Sequence, residues 1–310
     1  MPMAQTTSQT AVATPVEVHG LTKRFGNITA LSHVSLSVPK NAIYGVLGPN
    51  GAGKTTLFSL LTGFMLPNEG SIRVLGTEKL DTIRGRLSIL PQDALFQTNI
   101  PIIDQLSFFL TLMGYSRPAA EEEVLRVLRL VDLDQVLFRE AGTLSHGMYK
   151  RLAIAQAFLG KPEVIILDEP TSGLDWKNAE AIRSSIKRLK EEATVLVSSH
   201  NLEEMQDLCE HIAILDKGEL VASGPVDVVT GSVQAIRMVF RREPTDDELA
   251  GFRGISGVEE VQRIDDEYQF IVAEEDVVRS ILEFALSHDL TPRRMAEENR
   301  LKRLYLKVTK

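Results

Sequence analysis

The stretch "AIYGVLGPNGAGKTTLFSLLTG", residues 42–63, decides the fold of this chain. An apolar run, AIYGVLG, leads directly into a glycine-rich loop, and a helix-forming run follows the loop. The loop fits the pattern G-x-x-x-x-G-K-[ST], in which backbone N–H groups surround phosphates at the start of a helix. We therefore predict a buried strand, a phosphate-binding loop, and a helix from about Lys54 to Leu61 that stops at Gly63.

Each part of this loop has a predicted contact with a nucleotide. Glycines let the backbone wrap closely around phosphate groups, with the N–H groups pointing inward. Lys54 is expected to reach the β- and γ-phosphates of ATP, and the Thr55 hydroxyl is expected to hold Mg²⁺. The loop residues predicted to bind the nucleotide are Gly48, Asn50, Gly51, Gly53, Lys54, Thr55 and Thr56.

A second apolar run, "VIILDE" at residues 164–169, ends in two carboxylates. Burying a carboxylate without a partner is costly, so acids at the end of a buried strand indicate function. Asp168 is expected to support the Mg²⁺ shell, and Glu169 to polarise the attacking water. Together with the phosphate loop, this run predicts a nucleoside triphosphatase.

The remaining pattern predicts an α/β protein with a parallel sheet. Strand, helix and strand alternate over residues 163–200, which is typical of a parallel sheet covered by helices. Residues 101–160 show helical spacing of apolar positions. Short strands are expected before the loop, a strand pair around "GSIRVLG" and "RLSILPQ", and one further strand in "HIAILDKGELVASG". Beyond residue 231 the composition indicates a small α+β unit.

Composition limits the partners. A net charge of -8 argues against a surface that coats nucleic acid, so no nucleic-acid partner is expected. The single cysteine, Cys209, cannot form an internal disulfide, which favours a reducing cytosol and a buried structural thiol. No run reaches the length of a transmembrane helix, and residues 1–14 are predicted to be a disordered tail. Any membrane role would therefore come through a partner.

The run "LSHGMYKRLAIAQAFLGKPEVIILDEPTSGLD", residues 144–175, followed by "VLVSSH", residues 195–200, resembles the ATP-binding subunits of ABC transporters. The resemblance covers roughly residues 16–230. It implies a P-loop ATPase core over residues 15–232, with a RecA-like mixed sheet, an antiparallel β subdomain and an α-helical subdomain at about 95–160. Residues 233–310 resemble the small C-terminal unit of exporter ATPases, either a dimer clasp or regulatory contact, or a stabilising appendage.

The resemblance assigns further roles at the ATP site. Gln92 in "ILPQD" matches the family's Q-loop glutamine, which touches Mg²⁺ or the attacking water. Asp175 in "SGLD" matches the D-loop, and His200 matches the switch histidine that contacts the γ-phosphate. Phe25 falls where the family places an aromatic ring that stacks on adenine. Core packing is the alternative interpretation of Phe25.

The signature sequence implies a second ATP-binding subunit. Ser145 and Gly147 match the phosphate-contacting residues of the family's L-S-G-G-Q, whereas His146 and Met148 replace its first glycine and its glutamine, which implies a differently tuned contact. In the family, two subunits pair head to tail, and each signature closes over the ATP held by the other. The expected partner is thus a second ATP-binding subunit, either another copy of the chain or a different ATPase.

The resemblance favours the energising subunit of an exporter, peripheral on the cytoplasmic face of the cell membrane and bound to separate transmembrane subunits. Phe96 and the segment "IPIIDQLSFFL", residues 100–110, are the expected docking surface for such a subunit. The alternative is a soluble ABC ATPase that acts on DNA, ribosomes or cofactor assembly. A small-molecule kinase would use the phosphate loop but leaves the signature, "SGLD" and His200 unexplained.

Overall fold

The computed structural model describes residues 14–92, 94–230, 234–273, 276–298, 301, 304–305 and 308–309. They form two units, the first running to His200 and including Leu208–Ser223, the second comprising Asn201–Asp207 and the chain from Gly224 onward. The predicted domain limit at 232–233 lies outside the described residues. So do the predicted disordered tail, except Thr14, and much of the closing segment "NRLKRLYLKVT", residues 299–309.

The secondary structure follows the chain in this order. The strands are β1 (Val16–Phe25), β2 (Ile28–Val38), β3 (Ile43–Leu47), β4 (Glu69–Val74), β5 (Leu87–Leu90), β6 (Val164–Leu167), β7 (Thr194–Ser199), β8 (His211–Asp216), β9 (Glu219–Pro225), β10 (Gln234–Phe240), β11 (Val258–Ile264), β12 (Glu267–Val272) and β13 (Pro292–Glu297). The α-helices are α1 (Lys54–Leu61), α2 (Ile102–Leu112), α3 (Arg117–Leu130), α4 (His146–Ala157), α5 (Trp176–Leu189), α6 (Leu202–Leu208), α7 (Val226–Thr230), α8 (Asp246–Arg253) and α9 (Val277–Ser287).

A six-stranded sheet in the order β5-β6-β7-β3-β8-β9 forms the centre of the first unit. Strands β5, β6, β7, β3 and β8 run parallel. Every residue of β3, β6 and β7 is buried, as expected for strands with helices on both faces. The phosphate loop therefore leaves the middle of the sheet, which confirms the predicted α/β fold with a parallel core.

Two predictions about single strands were wrong. The segment "HIAILDKGELVASG" forms two strands, because Lys217 and Gly218 both adopt positive φ angles, 48° and 84°, and turn the chain between β8 and β9. The two strands predicted around residues 70–92 are present as β4 and β5, but they do not pair with each other. Strand β4 pairs with β1 in a separate antiparallel sheet, β2-β1-β4, whereas β5 pairs in parallel with β6.

Helices α2, α3 and α4 confirm the prediction of helix between residues 101 and 160. Helix α5 is amphipathic: Ala179, Ile182, Ile186 and Leu189, spaced by three or four residues, are buried. Cys209 follows α6 and is buried, as predicted, and burial raises the pKa of its thiol. No helix within the described ranges is both long and apolar enough to span a lipid bilayer.

The second unit contains an antiparallel sheet, β11-β12-β10-β13, with its own apolar core. Phe240, Phe252 and Phe270 lie in this core, where the rings of Phe252 and Phe270 meet edge to face at 5.0 Å. The α+β character was predicted, but α8 and β13 were missed. Helix α8 begins with a capping box between Thr245 and Glu248, which is a readable start signal, whereas β13 is a mostly exposed, charged strand at the sheet edge.

Candidate functional site

The phosphate loop connects buried β3 to the first turn of α1. Gly53 precedes α1 with φ 104°, and a Cβ atom at this position would lie 2.7 Å from the Ala30 carbonyl oxygen. Only glycine fits both the conformation and the space. The free N–H groups at the start of α1 give this loop a positive end that suits phosphate.

Lys54 is the cation of this loop. Its side chain is 6% exposed, and its Nζ donates hydrogen bonds to the carbonyl oxygens of Gly48 and Pro49 at 2.8 and 3.2 Å. The same Nζ lies 3.6 Å from the Glu169 Oε1 atom. The ammonium group is therefore held at the loop, between its backbone and the acid at the end of β6.

The two acids after β6 lie beside the loop and are held by hydroxyl groups. Thr55 Oγ1 donates to Asp168 Oδ2 at 2.9 Å, and the Ser198 hydroxyl donates to Asp168 Oδ1. The Glu169 backbone N–H donates to Ser198 Oγ at 2.8 Å. Glu169 has a φ of 48°, a conformation that is rare for this residue type. Its carboxylate also lies 3.2 Å from His200 Nδ1.

These groups surround a cavity of about 400 Å³, within the size range of nucleotide and drug sites. Its lining includes most of the predicted site: Asn50, Gly51, Gly53, Lys54, Thr55, Thr56, Gln92, Glu169 and His200, with Ala30 and Ser172 in addition. The Thr55 hydroxyl, the Asp168 carboxylate and the Gln92 amide carbonyl are oxygen donors of the kind that Mg²⁺ prefers. The donor set therefore fits MgATP.

The other predicted phosphate-contacting residues line a separate cavity of about 250 Å³: Ser145, Gly147 and Asp175, with His146, Gly173, Leu174 and Asn178. Ser145 caps α4, and its Oγ accepts a hydrogen bond from Met148 N–H. Asp175 caps α5 and accepts hydrogen bonds from the backbone and side-chain N–H groups of Asn178. These hydrogen bonds hold the pKa of its carboxyl below the ordinary value.

At position 147, beside this second cavity, only glycine fits. A Cβ atom at Gly147 would overlap the side-chain amide of Asn178, the same amide that donates to Asp175 at 2.7 Å. The signature and the segment around Asp175 are thus packed together within one chain. The first cavity and the second share none of their lining residues.

Three predicted residues lie outside both cavities: Asp168, which the Thr55 hydroxyl holds beside the first cavity, and Phe25 and Gly48. Phe25 ends β1 and is 46% exposed, with Lys23 Nζ 5.2 Å from its ring centroid. That exposure contradicts the alternative of core packing. Gly48 lies at the end of β3, where a Cβ atom would come within 2.5 Å of the Leu215 carbonyl oxygen, so its part in the loop is close packing.

Ser198 is a site residue that the sequence interpretation missed. It is fully buried and joins Asp168 to the backbone of Glu169. The parallel register pairs Leu167 with Val197, which places the residues that follow them, Asp168 and Ser198, side by side. The sequence does show a polar residue at the end of each buried strand, in "VIILDE" and "TVLVSSH". Whether these residues touch depends on the pairing register of the two strands, which the sequence alone does not give.

Comparisons with known proteins agree with this geometry. A family model described as ABC transporter matches residues 31–172. The uncharacterised ABC transporter ATP-binding protein YcbN of Bacillus subtilis is 36% identical over 221 residues, 70% of this chain and 71% of that protein. The linearmycin resistance ATP-binding protein LnrL of the same organism is 29% identical over 312 residues, 95% of this chain and 98% of that protein.

Two further matches are a relative named for import and a solved structure. The spermidine/putrescine import ATP-binding protein PotA of Bacteroides fragilis is 32% identical over 249 residues, 78% of this chain and 51% of that protein. A solved structure of an ATP-binding subunit of an ABC transporter is 28% identical, with a TM-score of 0.63, over 70% of this chain and 92% of that one. The relatives thus include proteins named for resistance and for import.

A parallel sheet whose central strand ends in a phosphate loop, with the two acids at the end of β6 beside that loop, defines a P-loop nucleotide hydrolase. The relatives fix its family. The chain belongs to the ATP-binding proteins of ABC transporters, a family of ATPases.

Proposed function

We propose that this chain hydrolyses ATP at the cytoplasmic face of the cell membrane to drive export through separate transmembrane subunits. The observation that carries the proposal is the division of the phosphate-contacting residues between two cavities of one chain. Each cavity lies at the N-terminus of a helix, α1 or α4, and each supplies half of a site for a triphosphate.

In the first cavity, Lys54 and the loop N–H groups hold the β- and γ-phosphates. Thr55, Asp168 and Gln92 hold Mg²⁺, which when bound offsets the charge on these phosphates. Glu169 is the general base. Its carboxylate is positioned by Ser198 through the backbone and by the contact with His200. Lys54 Nζ lies 3.6 Å from Glu169 Oε1, on the side of the phosphate loop.

His200 has a second role in the proposal. The exposed imidazole lies between the Glu169 carboxylate, 3.2 Å from Nδ1, and the open side of the cavity. In the proposal, its other ring nitrogen faces the γ-phosphate. Phe25, exposed at the end of β1, provides the face on which adenine stacks.

The second cavity serves the ATP of another copy. In the proposed head-to-tail dimer, the hydroxyl of Ser145 and the N–H groups at the start of α4 close over the partner's γ-phosphate. Asp175 lies beside Ser145 and Gly147 in that cavity, so it reaches the same interface. ATP therefore acts as the bridge between two copies, and its hydrolysis removes the bridge.

Disulfide trapping tests this arrangement. In a Cys209→Ser, Glu169→Gln background, Asn50→Cys and Ser145→Cys bridge only if their Cα atoms come within about 7 Å. ATP should produce a species at twice the subunit mass of 34.3 kDa, and little should form without ATP. Mixed chains that carry the two substitutions separately should give the same product. Lys187→Cys in place of Ser145→Cys is the matched control.

A cross-link formed only within single chains would contradict the dimer, because the signature would then serve its own nucleotide. Loss of ATP dependence would contradict the bridging role of the nucleotide. Either result leaves the ATPase assignment of the family untouched, so the experiment separates the arrangement of the sites from their chemistry.

The apolar surface of α2 supports a membrane-protein partner. The predicted docking segment is only partly available, because Phe96 is 8% exposed and Ile102, Leu106 and Leu110 are buried. The exposed face consists of Phe108, Phe109, Leu112 and Met113. The Met113 methyl group lies 3.3 Å from the position of a Cβ atom at Gly85, which lines a neighbouring cleft of about 750 Å³. We propose that a cytoplasmic helix of the transmembrane subunit occupies this continuous surface.

Co-expression with the polytopic membrane protein of a neighbouring reading frame tests this surface. The complex should form with the unsubstituted chain and be lost on Leu112→Asp, while Leu286→Asp, at an exposed leucine in the second unit, should leave it intact. Equal loss with both variants would contradict docking on α2. We infer the export direction from the match to LnrL, a protein named for resistance that is covered over 98% of its length, whereas PotA, named for import, is covered over 51%.

A further inference from the structure

Helix α4 contacts the Gln92 segment at two points. Tyr149 Oη accepts a hydrogen bond from the backbone N–H of Phe96 at 2.7 Å, and the two rings meet edge to face at 5.4 Å. Lys150 Nζ donates to the backbone carbonyl of Gln92 at 3.2 Å. Adjacent residues of one helix therefore contact the segment at Gln92, near its start, and at Phe96, midway along it.

Beyond Phe96 the segment is held by other contacts, because the Gln105 amide bonds to Gln97 and Ile100 and the Thr98 carbonyl oxygen accepts from the Gly142 N–H. The segment follows β5, which ends at Leu90, and precedes α2, which begins at Ile102, so it belongs to no strand or helix. Phe96 is buried and contacts Tyr149 midway along the segment. The backbone position of Gln92 is consequently set by α4 as much as by the sheet.

Gln92 lies between two cavities. It lines the ATP cavity with Lys54, Glu169 and His200. It also lines a cavity of about 190 Å³ with His146, Tyr149, Lys150, Asp168 and Glu169. Because α4 begins immediately after Ser145, the signature and the two contacts with the Gln92 segment lie on the first two turns of the same helix, within about 8 Å of axial rise.

We propose that Tyr149 and Lys150 are positioning residues for Gln92, and that they couple the two ATP sites of the dimer. This inference rests on the proposed function, in which α4 of one chain contacts the partner's ATP. Engagement of Ser145 fixes the N-terminus of α4, and the rigid helix then fixes the segment that presents Gln92 to the chain's own ATP. Each site thereby becomes competent for hydrolysis when the other is filled.

Steady-state ATP hydrolysis by the full chain tests the coupling, with Tyr149→Phe and Lys150→Gln as the variants. Tyr149→Phe removes one hydroxyl and keeps the ring contact with Phe96, and Lys150→Gln removes one partly exposed ammonium. Tyr115→Phe and Lys187→Gln are matched controls outside the segment. We expect kcat to fall about tenfold in the combined variant, as for other residues that orient a ligand, with ATP affinity retained.

Two readouts distinguish positioning from a structural role. We expect the Hill coefficient for ATP to lie above one in the unsubstituted chain and to fall to one in the combined variant. In a Gln92→Ala background the same substitutions should cause no further loss of kcat, since their effect acts through Gln92. Melting temperatures should match those of the controls.

Three results would overturn the inference. These are a Hill coefficient that the substitutions leave unchanged, a loss of kcat of equal size in the Gln92→Ala background, and a loss in the controls as large as in the variants. An unsubstituted chain that binds ATP but never forms the cross-linked dimer would instead remove the proposed function on which the coupling rests.

Discussion

Ser198→Ala removes a hydroxyl that connects the two acids of the site, and its consequence can be worked out from the contacts. The hydroxyl donates to Asp168 Oδ1 and accepts from the backbone N–H of Glu169 at 2.8 Å. Ser198 is fully buried, so water does not replace the lost oxygen. One charged acceptor and one backbone donor each lose a partner, while the fold around them keeps its shape.

The magnitude follows from the two contacts. A hydrogen bond to a charged group contributes about 1.5–3 kcal/mol and a neutral one about 0.5–1.5 kcal/mol. Asp168 retains its contact with Thr55 Oγ1 at 2.9 Å, which places the loss in the lower half of that sum. We expect the free energy of unfolding to fall by about 2–3 kcal/mol. We also expect kcat to fall about 10–100-fold, because both acids lose their orientation.

Urea titration followed by circular dichroism measures the first quantity, and steady-state ATP hydrolysis the second. Ser185→Ala is the matched control: Ser185 is equally buried, but both partners of its hydroxyl lie within α5, since it donates to the Ala181 carbonyl oxygen at 2.9 Å and accepts from the Arg188 guanidinium at 3.4 Å. Alanine suits a helix better than serine, so this control should change stability by less than about 1 kcal/mol and leave kcat unchanged. A Ser198→Ala chain with the stability and kcat of the control would refute the role of Ser198.

Four further results are expected. Lys54→Ala should weaken ATP binding severely with circular dichroism unchanged, as measured by fluorescent-nucleotide titration; unaltered affinity would contradict the assignment of the phosphate loop. Glu169→Gln should bind ATP normally but slow hydrolysis about 10²–10⁴-fold, because glutamine keeps the shape and loses the basicity, and an ATP-dependent dimer should accumulate in light scattering; turnover at the parental rate would remove Glu169 from the mechanism. Cys209 should resist thiol reagents at neutral pH until urea unfolds the chain, since burial raises its pKa and suppresses the thiolate; rapid labelling of the folded protein would disprove this. The side-chain hydrogen bond from Arg242 lowers the pKa of Glu248 to about 2, below the ordinary 4.5, so its stabilising contribution is complete above about pH 4.5 and is lost as the pH falls towards 2. The stability difference between the unsubstituted chain and Glu248→Gln should therefore shrink over that interval in urea titrations, and a constant difference would rule the contact out as its source.

The sequence was sufficient to predict those parts of the fold and site whose contacts join residues close together in the chain. The loop around Lys54 and helix α1 follow from glycine spacing and from the strand before them, and the structure has α1 at Lys54–Leu61 as predicted. The acids at the end of β6 follow from an apolar run that ends in charge. The capping box at Thr245 and the turn at Lys217–Gly218 were equally local and could have been read.

Contacts set by strand pairing could not be read in this way. Whether β4 and β5 share a sheet depends on the partners of β1 and β6, which lie far apart in the sequence. The contact of Ser198 with Asp168 depends on one register between β6 and β7. The contacts of Tyr149 and Lys150 with the Gln92 segment depend on how α4 packs, since more than fifty residues separate the partners.

The charge balance of the first cavity gives a physical reason for the proposed dimer. Lys54 is opposed by two carboxylates, Asp168 at the loop threonine and Glu169 at 3.6 Å. A triphosphate adds further negative charge, which the loop N–H groups and Mg²⁺ offset only from one side. The N-terminus of a second helix, with the hydroxyl of Ser145, supplies donors and a positive dipole end to the open side. Ser145 lines a different cavity of its own chain, so in the proposed dimer those donors come from another copy, and closure would depend on the γ-phosphate that hydrolysis removes.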